Sequence, residues 1–468
     1  MNEQKEMTAK DLANVSDGKI VCGNADVILE NFCQDTRKIN QGDVYIGIKG
    51  ENHNGNEIYE EALINGAKAC ILQGVSIPDN IKEKYADRTI IIVENTITAL
   101  QKLAIYKRSI YDIPVIAITG SVGKTSTKDI VASVMAKKYN VLKTQGNYNS
   151  QLGVALTVLR LKDHNAMVIE LGMSNLGEIR KLTAIAKPNV AVITNVGTAH
   201  IGNLGSRENI LKAKLEILEG LQSGGTVVIN NDNDLLHHWY ISAKERYHIV
   251  TYGMENTSDI MPHNTILTEG GSSYTADING KSYPVKIGIG GNHFVSNSLC
   301  AIVVGQIFDI KMEHILEGIE HFELTKKRMQ VEKLENHVTI INDYYNANYD
   351  SMKAAIEYLA GIENTKTIAV LGDMLELGDY SERLHRQVGE EICKCKIDTL
   401  ITVGTEAKYI ADEAGKLGMN QQNIYVFKTN EEAIKRIKLL IENGNVSILL
   451  KASNGMNFGE IANKISKK

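Results

Sequence analysis

Several things are scarce in these 468 residues, and each shortage excludes a class of protein. The six cysteines (Cys22, Cys33, Cys70, Cys300, Cys393, Cys395) are scattered, and none has the Cys-x-x-Cys spacing of a structural zinc site. Cys393 and Cys395 are too close for an ordinary disulfide framework, so free thiols are expected. Five prolines, no repeat and no low-complexity tract leave no long linker. No apolar run approaches the roughly 18 residues of a membrane span. The amino-terminal Met1-Asn-Glu-Gln-Lys-Glu-Met-Thr is charged and lacks the apolar stretch of a signal peptide. A soluble, cytoplasmic chain with no membrane partner is therefore expected. Neither sign of charge dominates: 51 Lys and Arg against 56 Asp and Glu give a net charge of −5. Nothing in that balance asks for nucleic acid. Basic charge that matters should be local and aimed at phosphates.

What the chain does have is an alternation of short apolar runs with helical patterns, over a length that suggests about three domains. Residues 1–88 mix strand-like runs (Ile20 to Cys22, Val44 to Ile48, Ala69 to Leu72) with polar turns. Residues 95–110 carry apolar Ile97, Leu100, Leu103 and Ala104 at helical spacing and bridge into a second domain, 89–323. There, Ile113 to Ile118, Ala166 to Leu171, Val190 to Thr194 and Thr226 to Asn230 are apolar without alternation, as in parallel strands buried on both faces. Between Thr265 and Ile289 the pattern turns β-like, with Asn279-Gly280 as a hairpin signal. From 324 to 468 a second alternation places strands at His337 to Ile341, Thr367 to Leu371, Thr399 to Val403, Ile424 to Phe427 and Ser447 to Leu450. The fold class is α/β, with a small amino-terminal domain, a central parallel-sheet domain and a doubly wound, Rossmann-like carboxyl-terminal domain.

Gly120-Ser121-Val122-Gly123-Lys124-Thr125-Ser126 follows the first central strand and opens a helical stretch. Glycines let backbone N–H groups converge on an anion, Lys124 supplies positive charge, and the Thr125 hydroxyl can ligate Mg²⁺. The helix that follows puts its N-terminus at the same anion. Ile118 stands where the usual phosphate-loop pattern has its first glycine, and a bare strand-to-helix turn is the alternative. Glu170 ends the next strongly apolar run, at the sheet edge where such folds place ligands, and a carboxylate there completes a Mg²⁺ site with Thr125. Its alternative is a solvated strand end. His200 sits in a Gly-rich loop after another strand, placed for a second metal ion. Lys214 follows on a helix, beside Ala213, Leu215 and Ile217, where most lysines reach back to solvent.

Four segments together resemble the Mur ligases, the ATP-dependent amide-forming enzymes of peptidoglycan precursor synthesis. They are Thr119 to Ser126, Gly146 to Gly153, Ile169 to Glu178, and Ala199 to Ile210 with Ala213-Lys214. Asp343-Tyr-Tyr-Asn-Ala-Asn348 and Leu371-Gly-Asp-Met-Leu-Glu-Leu-Gly378 resemble the member that joins D-alanyl-D-alanine to UDP-N-acetylmuramoyl-tripeptide, and Asp35-Thr-Arg37 resembles its UDP-sugar domain. The resemblance spans about residues 33 to 460. It implies ATP binding by Gly120 to Ser126, with Asn297 at the adenine, Asp343 at the ribose and Arg328 at the phosphates. It further implies two Mg²⁺ ions, one on Thr125 and Glu170 and one on His200 and a carbamylated Lys214. Thr36 and Arg37 would bind UDP, Asn147 and Asn149 the muramoyl end, and Tyr345 and Asn346 the dipeptide. A monomer is expected. The sequence departs from the family pattern at Asn342 and Tyr349, and at Asn454, where the pattern has arginine.

The implied reaction activates a peptide carboxylate as an acyl phosphate, which an amine then displaces. Lys124, His200 and Lys214 would be its catalytic residues, and the third domain should close over the site to exclude water. Two other readings stay open. One is a Mur-like paralogue, or a folylpolyglutamate synthase-like or cyanophycin-type ligase, with a different acceptor. The other is a P-loop kinase or regulatory ATPase that forms no amide.

Overall fold

Apolar runs become strands, and the carboxyl ends of those strands come to face one another across a cleft. The computed structural model describes residues 6–50, 53–268, 270–442 and 444–466. The first sheet contains β1 (Lys19–Cys22), β2 (Phe32–Cys33), β3 (Val44–Ile46), β4 (Ala69–Gln73) and β5 (Thr89–Val93), in the order β1-β5-β4-β3-β2. It is parallel apart from β1. The sheet runs past residue 88, the boundary expected from sequence. β5 pairs with β4 from Ala69↔Thr89 to Gln73↔Val93, and its Thr-Ile-Ile-Ile-Val run is largely buried, so the first sheet extends through Val93.

The second sheet is wholly parallel and contains β6 (Val115–Thr119), β7 (Val141–Lys143), β8 (Ala166–Glu170), β9 (Val190–Ile193), β10 (Thr226–Asn230) and β11 (His248–Tyr252). Its order is β11-β10-β9-β6-β8-β7, so β6 lies between β9 and β8. Every residue of β6, β8 and β9 is buried, which explains why these strands read as continuous apolar runs. The helix Thr96–Ser109 packs against helices Ala9–Ser16 and Gln151–Leu159, bridging the first two units.

β12 (Pro262–Thr268), β13 (Gly271–Ile278) and β14 (Lys281–Ile287) form an antiparallel sheet beside the central one. Asn279 and Gly280 turn the β13–β14 hairpin with φ of 51° and 76°, the two positive values that a two-residue type I′ loop needs. The last sheet contains β15 (Gln330–Leu334), β16 (Val338–Asn342), β17 (Lys366–Gly372), β18 (Thr399–Val403), β19 (Ile424–Phe427) and β20 (Val446–Lys451). Its order is β15-β16-β20-β17-β18-β19, parallel except for β15. One apolar cluster runs from Met7 through Ile118 to Met352 and Leu384, so the units are packed together rather than strung out. All six cysteines are free. Among the described residues, no helix is long and apolar enough to cross a membrane.

Candidate functional site

The loop after β6 is braced from the neighbouring strand. Thr194, just past β9, donates its hydroxyl to Val122 O at 2.6 Å, and Asn195 Oδ1 accepts from the N–H groups of Ser121 and Val122, both at 2.9 Å. A Cβ on Gly120 would come within 1.9 Å of Thr194 Oγ1, so only glycine permits this approach. Gly123, at φ 79°, precedes the helix Lys124–Met135, whose N-terminus no side chain caps. Its first N–H groups lack helical acceptors, and Gly123 to Ser126 line the cleft, where an anion could take them up. Lys124 donates to Gly120 O at 2.7 Å. Its ammonium is destabilised chiefly by burial, with Glu170 opposing that shift.

Glu170 joins three parts of the chain. Its Oε2 accepts the Thr125 hydroxyl at 3.0 Å, its Oε1 accepts Asn149 Nδ2 at 2.7 Å, and its own N–H donates to Thr144 Oγ1 at 2.9 Å. Far from being a solvated strand end, it is 1 % exposed. The Arg328 guanidinium lies 4.1 Å over the Tyr345 ring and reaches toward Thr125 Oγ1 at 3.5 Å. On the other flank, Thr127 donates to Asn297 Oδ1 at 3.0 Å. Asn297 Nδ2 and Arg328 Nε are buried without a hydrogen-bond partner among the described residues, and both side chains line the cleft.

His200 adopts left-handed backbone, φ 63°, and its Nδ1 lies 2.6 Å from Glu376 Oε2 of the third unit. Burial holds the imidazole below its usual pKa, assisted by the charges of Lys124 and Lys214 and opposed by Glu376. Lys214 is 2 % exposed and does not reach back to solvent. Burial first, and Lys124 second, hold its pKa well below that of an ordinary lysine. It has no hydrogen-bond or ion-pair partner among the described residues.

The third unit brings the carboxyl ends of β16, β17 and β20 to the same cleft. Asp343 N–H donates to Leu450 O at 3.0 Å, and the Asp343 carboxylate pairs with the buried Lys451 and accepts Met329 N–H at 3.2 Å. Asp350 Oδ2 accepts both the N–H and the hydroxyl of Thr198, at 2.9 and 3.0 Å. Gly202 lies so close to Glu376 and Gly378 that a Cβ would meet backbone at 2.7 Å. The third unit is therefore closed on the central one. Between them lie a cavity of about 350 Å³, lined by the phosphate loop, His200, Asn297, Arg328, Asp343 and Asn346, and a smaller one of about 210 Å³ that Tyr345 and Asn346 share.

Not every expected residue lies here. Asn147 is exposed and stands beside the Tyr345 hydroxyl. Thr36 and Arg37 line neither cavity. Thr36 is buried in the first unit and donates to Glu61 at 3.0 Å, while the exposed Arg37 forks onto Asp35 at 2.9 and 3.0 Å and holds that carboxyl down to about 2. Sequence reasoning missed Asn195, Asp350 and Lys451, and it quoted Glu376 without giving it a role. Asn195 and Glu376 do stand in Gly-rich loops that follow strands, the signal by which His200 was found.

Two family models match the chain: the Mur ligase middle domain over residues 118–305, and the Mur ligase glutamate ligase domain over residues 327–454. A UDP-N-acetylmuramoyl-tripeptide–D-alanyl-D-alanine ligase of Bacillus subtilis (strain 168) is 36 % identical over 457 residues, covering 97 % of each chain. A MurF crystal structure from Acinetobacter baumannii superposes with a TM-score of 0.87 at 28 % identity, covering 99 % of this chain and 100 % of that one. MurF ligase from Thermotoga maritima in complex with ADP gives 0.80 at 27 % identity, covering 94 % and 98 %. With its two larger units matched by Mur models and nearly all its length matched by such relatives, the chain belongs to the Mur ligase family.

Proposed function

We propose that this chain joins D-alanyl-D-alanine to UDP-N-acetylmuramoyl-tripeptide at the expense of ATP, as a cytoplasmic monomer. The observation that carries the reading is the meeting of two sheet edges. Lys124 and His200 from one and Asp343 from the other line one cavity, Glu170 is bonded to the cavity-lining Thr125, and full-length relatives carry that activity in their names. In this reading residues 1–93 hold the UDP end through Thr36 and Arg37. The central unit, to residue 323, holds ATP, and residues 324–468 close on ATP and the dipeptide. A terminal carboxylate oxygen of the UDP-peptide attacks the γ-phosphorus, the bond to the β,γ-bridging oxygen breaks, and ADP leaves. The acceptor nitrogen attacks the acyl phosphate carbonyl, the C–O bond to phosphate breaks, and the nitrogen loses a proton.

The residues fit nucleotide and Mg²⁺. Asn297 Nδ2 and Arg328 Nε are buried donors in want of acceptors, suited to the adenine and the phosphates. Thr125 and Glu170 offer the oxygen ligands that a hard cation takes. Among the described residues no cluster of three or more His, Cys, Asp or Glu forms a ready cage, which suits an ion that keeps waters and binds phosphate oxygens. Bound Mg²⁺ would supply the positive charge that lets two anions approach and that offsets charge on the transferring phosphoryl group. Lys124 adds a fixed counter-charge. His200 and Lys214 would hold a second ion. Lys214 is buried and unpaired, so its neutral amine can add CO₂, lose a proton and present carbamate oxygens. Asp343 would meet the ribose, Asn147 and Asn149 the muramoyl end, and Tyr345 and Asn346 the dipeptide. The test is phosphate release from ATP with each substrate omitted in turn. Release that needs both UDP-peptide and dipeptide supports amide ligation, and release that needs neither makes the chain an ATPase.

A further inference from the structure

Lys451 ends β20 with its side chain 1 % exposed, and the proposed reaction gives it no task. A buried ammonium is destabilising unless its hydrogens find acceptors. Here they do, and all on one turn. Nζ pairs with Asp343 Oδ2, and donates to Asp343 O at 3.4 Å and to Asn346 O at 3.2 Å. An ammonium has three hydrogens, so none is left for a ligand, although Lys451 lines the larger cavity. The two residues it holds serve different spaces. Asp343 lines the larger cavity only, whereas Asn346 lines both. Asn346 Oδ1 accepts Ala347 N–H at 2.9 Å, and its Nδ2 has no hydrogen bond among the described residues. Asp343 Oδ1 accepts Met329 N–H at 3.2 Å, next to Arg328, whose charge also acts on Lys451.

We infer that Lys451 is a positioning residue that ties the ribose-holding carboxylate of Asp343 to the acceptor-holding turn at Asn346. This rests on the nucleotide and dipeptide sites proposed above. The stem of Lys451 is anchored in the sheet, where it pairs with Leu371 of β17 and follows Leu450, whose carbonyl accepts Asp343 N–H. An ammonium with three acceptors cannot follow one of them without straining its bonds to the others. Asp343 therefore cannot move toward a ribose hydroxyl independently of the Asn346 carbonyl, and the state of the larger cavity sets the shape of the smaller one.

The test uses the full-length protein with ATP, Mg²⁺, UDP-peptide and D-alanyl-D-alanine, and takes each dipeptide KM at saturating ATP. Asp343→Asn keeps the side chain's shape and removes the charge that Lys451 holds. It should raise the dipeptide KM about fivefold as well as raising the ATP KM, although Asp343 does not line the smaller cavity. Lys451→Met should raise the dipeptide KM about tenfold, and should weaken a non-hydrolysable ATP analogue, titrated by calorimetry, by a similar factor. It leaves the Asp343 carboxylate buried without its cation, so its thermal midpoint should fall. Adding Asp343→Asn should restore the midpoint without restoring the dipeptide KM, a separation that general damage to the fold cannot give. Asp343→Asn alone carries the test if Lys451→Met does not fold. An Asp343→Asn enzyme with a dipeptide KM within about twofold of wild type would overturn the inference. So would a Lys451→Met enzyme that is only less heat-stable, which would leave the two residues as a structural ion pair. Wild-type enzyme with no dipeptide-dependent turnover would sink the proposed function, and this inference with it.

Discussion

Asp129 Oδ2 accepts two hydrogen bonds from Thr325, from its N–H at 2.9 Å and from its hydroxyl at 2.8 Å. Asp129 lies on the helix that Lys124 opens and is 1 % exposed, with Lys128 and Lys143 beside it. Thr325 opens the strap that leads to Arg328, and Lys327 and Met329 on either side of that arginine are left-handed, at φ 65° and 43°. The pair fixes where the strap leaves the central unit, and so where Arg328 arrives. Thr325→Val keeps the N–H and loses the hydroxyl bond to a charged partner, which should cost about 1.5–3 kcal/mol of stability. It should also raise the KM for ATP, whereas Thr325→Ser should restore both. Urea denaturation and ATP titration would check this, and a valine variant normal in both would remove the strap from the mechanism.

Lys214→Arg should be as inactive as Lys214→Ala, because a guanidinium stays protonated and cannot become a carbamate. Lys214→Glu should recover a little, its shorter carboxylate reaching part of the way. Bicarbonate should restore CO₂-depleted wild-type enzyme and do nothing for the alanine variant. Independently of activity, enzyme equilibrated with ¹³C-bicarbonate should show a carbamate ¹³C resonance that Lys214→Ala lacks. A fully active arginine variant would leave Lys214 as a plain cation.

Arg37 is 83 % exposed at its side chain and pairs with Asp35 on the surface, so removing it should leave stability nearly unchanged. Arg37→Ala should raise the KM for the UDP-peptide about tenfold and leave that for ATP nearly unchanged. Initial rates at varied concentrations of each substrate decide it. Equal losses for both would mean that the first unit does not hold UDP.

His293 lines the cleft, and burial holds its pKa down to about 4, against the pull of Asp343. Between that value and the usual pKa of about 6.5 the unfolded chain binds a proton that the folded chain refuses. Stability therefore falls as pH drops from 6.5 toward 4, and is unaffected by this group above 6.5. His293→Gln should flatten the acid limb of a stability-against-pH curve by about one proton. A variant whose acid limb matches the wild type would show that the imidazole titrates normally.

How much of this was legible depends on the range of the interactions. Thr226–Asn230 and Thr399–Val403 are strands with the bounds read from sequence, because a buried parallel strand is written as one unbroken apolar run, and the edge strand Ile424–Phe427 also keeps the bounds read from its apolar residues although it is only partly buried. Gln330–Leu334 was missed, since an edge strand of Gln-Val-Glu-Lys-Leu carries no such run. The phosphate loop was visible because its chemistry lies in consecutive residues. Asp350 with Thr198, Glu376 with His200, and Asp129 with Thr325 were not, as these partners stand 152, 176 and 196 residues apart. Only the docking of the third unit brings the first two pairs together, and no local pattern encodes it.

The position of β20 has a consequence for how the chain is made. It is the final strand of its sheet in sequence, yet it lies between β16 and β17, pairing Val338↔Val446 on one side and Lys366↔Val446 on the other. A growing chain that has emerged through β19 exposes two apolar strand edges with nothing between them, a template for aggregation. The sheet that carries Asp343 can zip up only when Val446–Lys451 has left the ribosome, and Lys451, the cation that holds Asp343, arrives with it. Completion of the third unit and assembly of its half of the cleft are thus one event, late in synthesis, and a chain halted earlier carries the phosphate loop of the central unit without the Asp343 side that faces it.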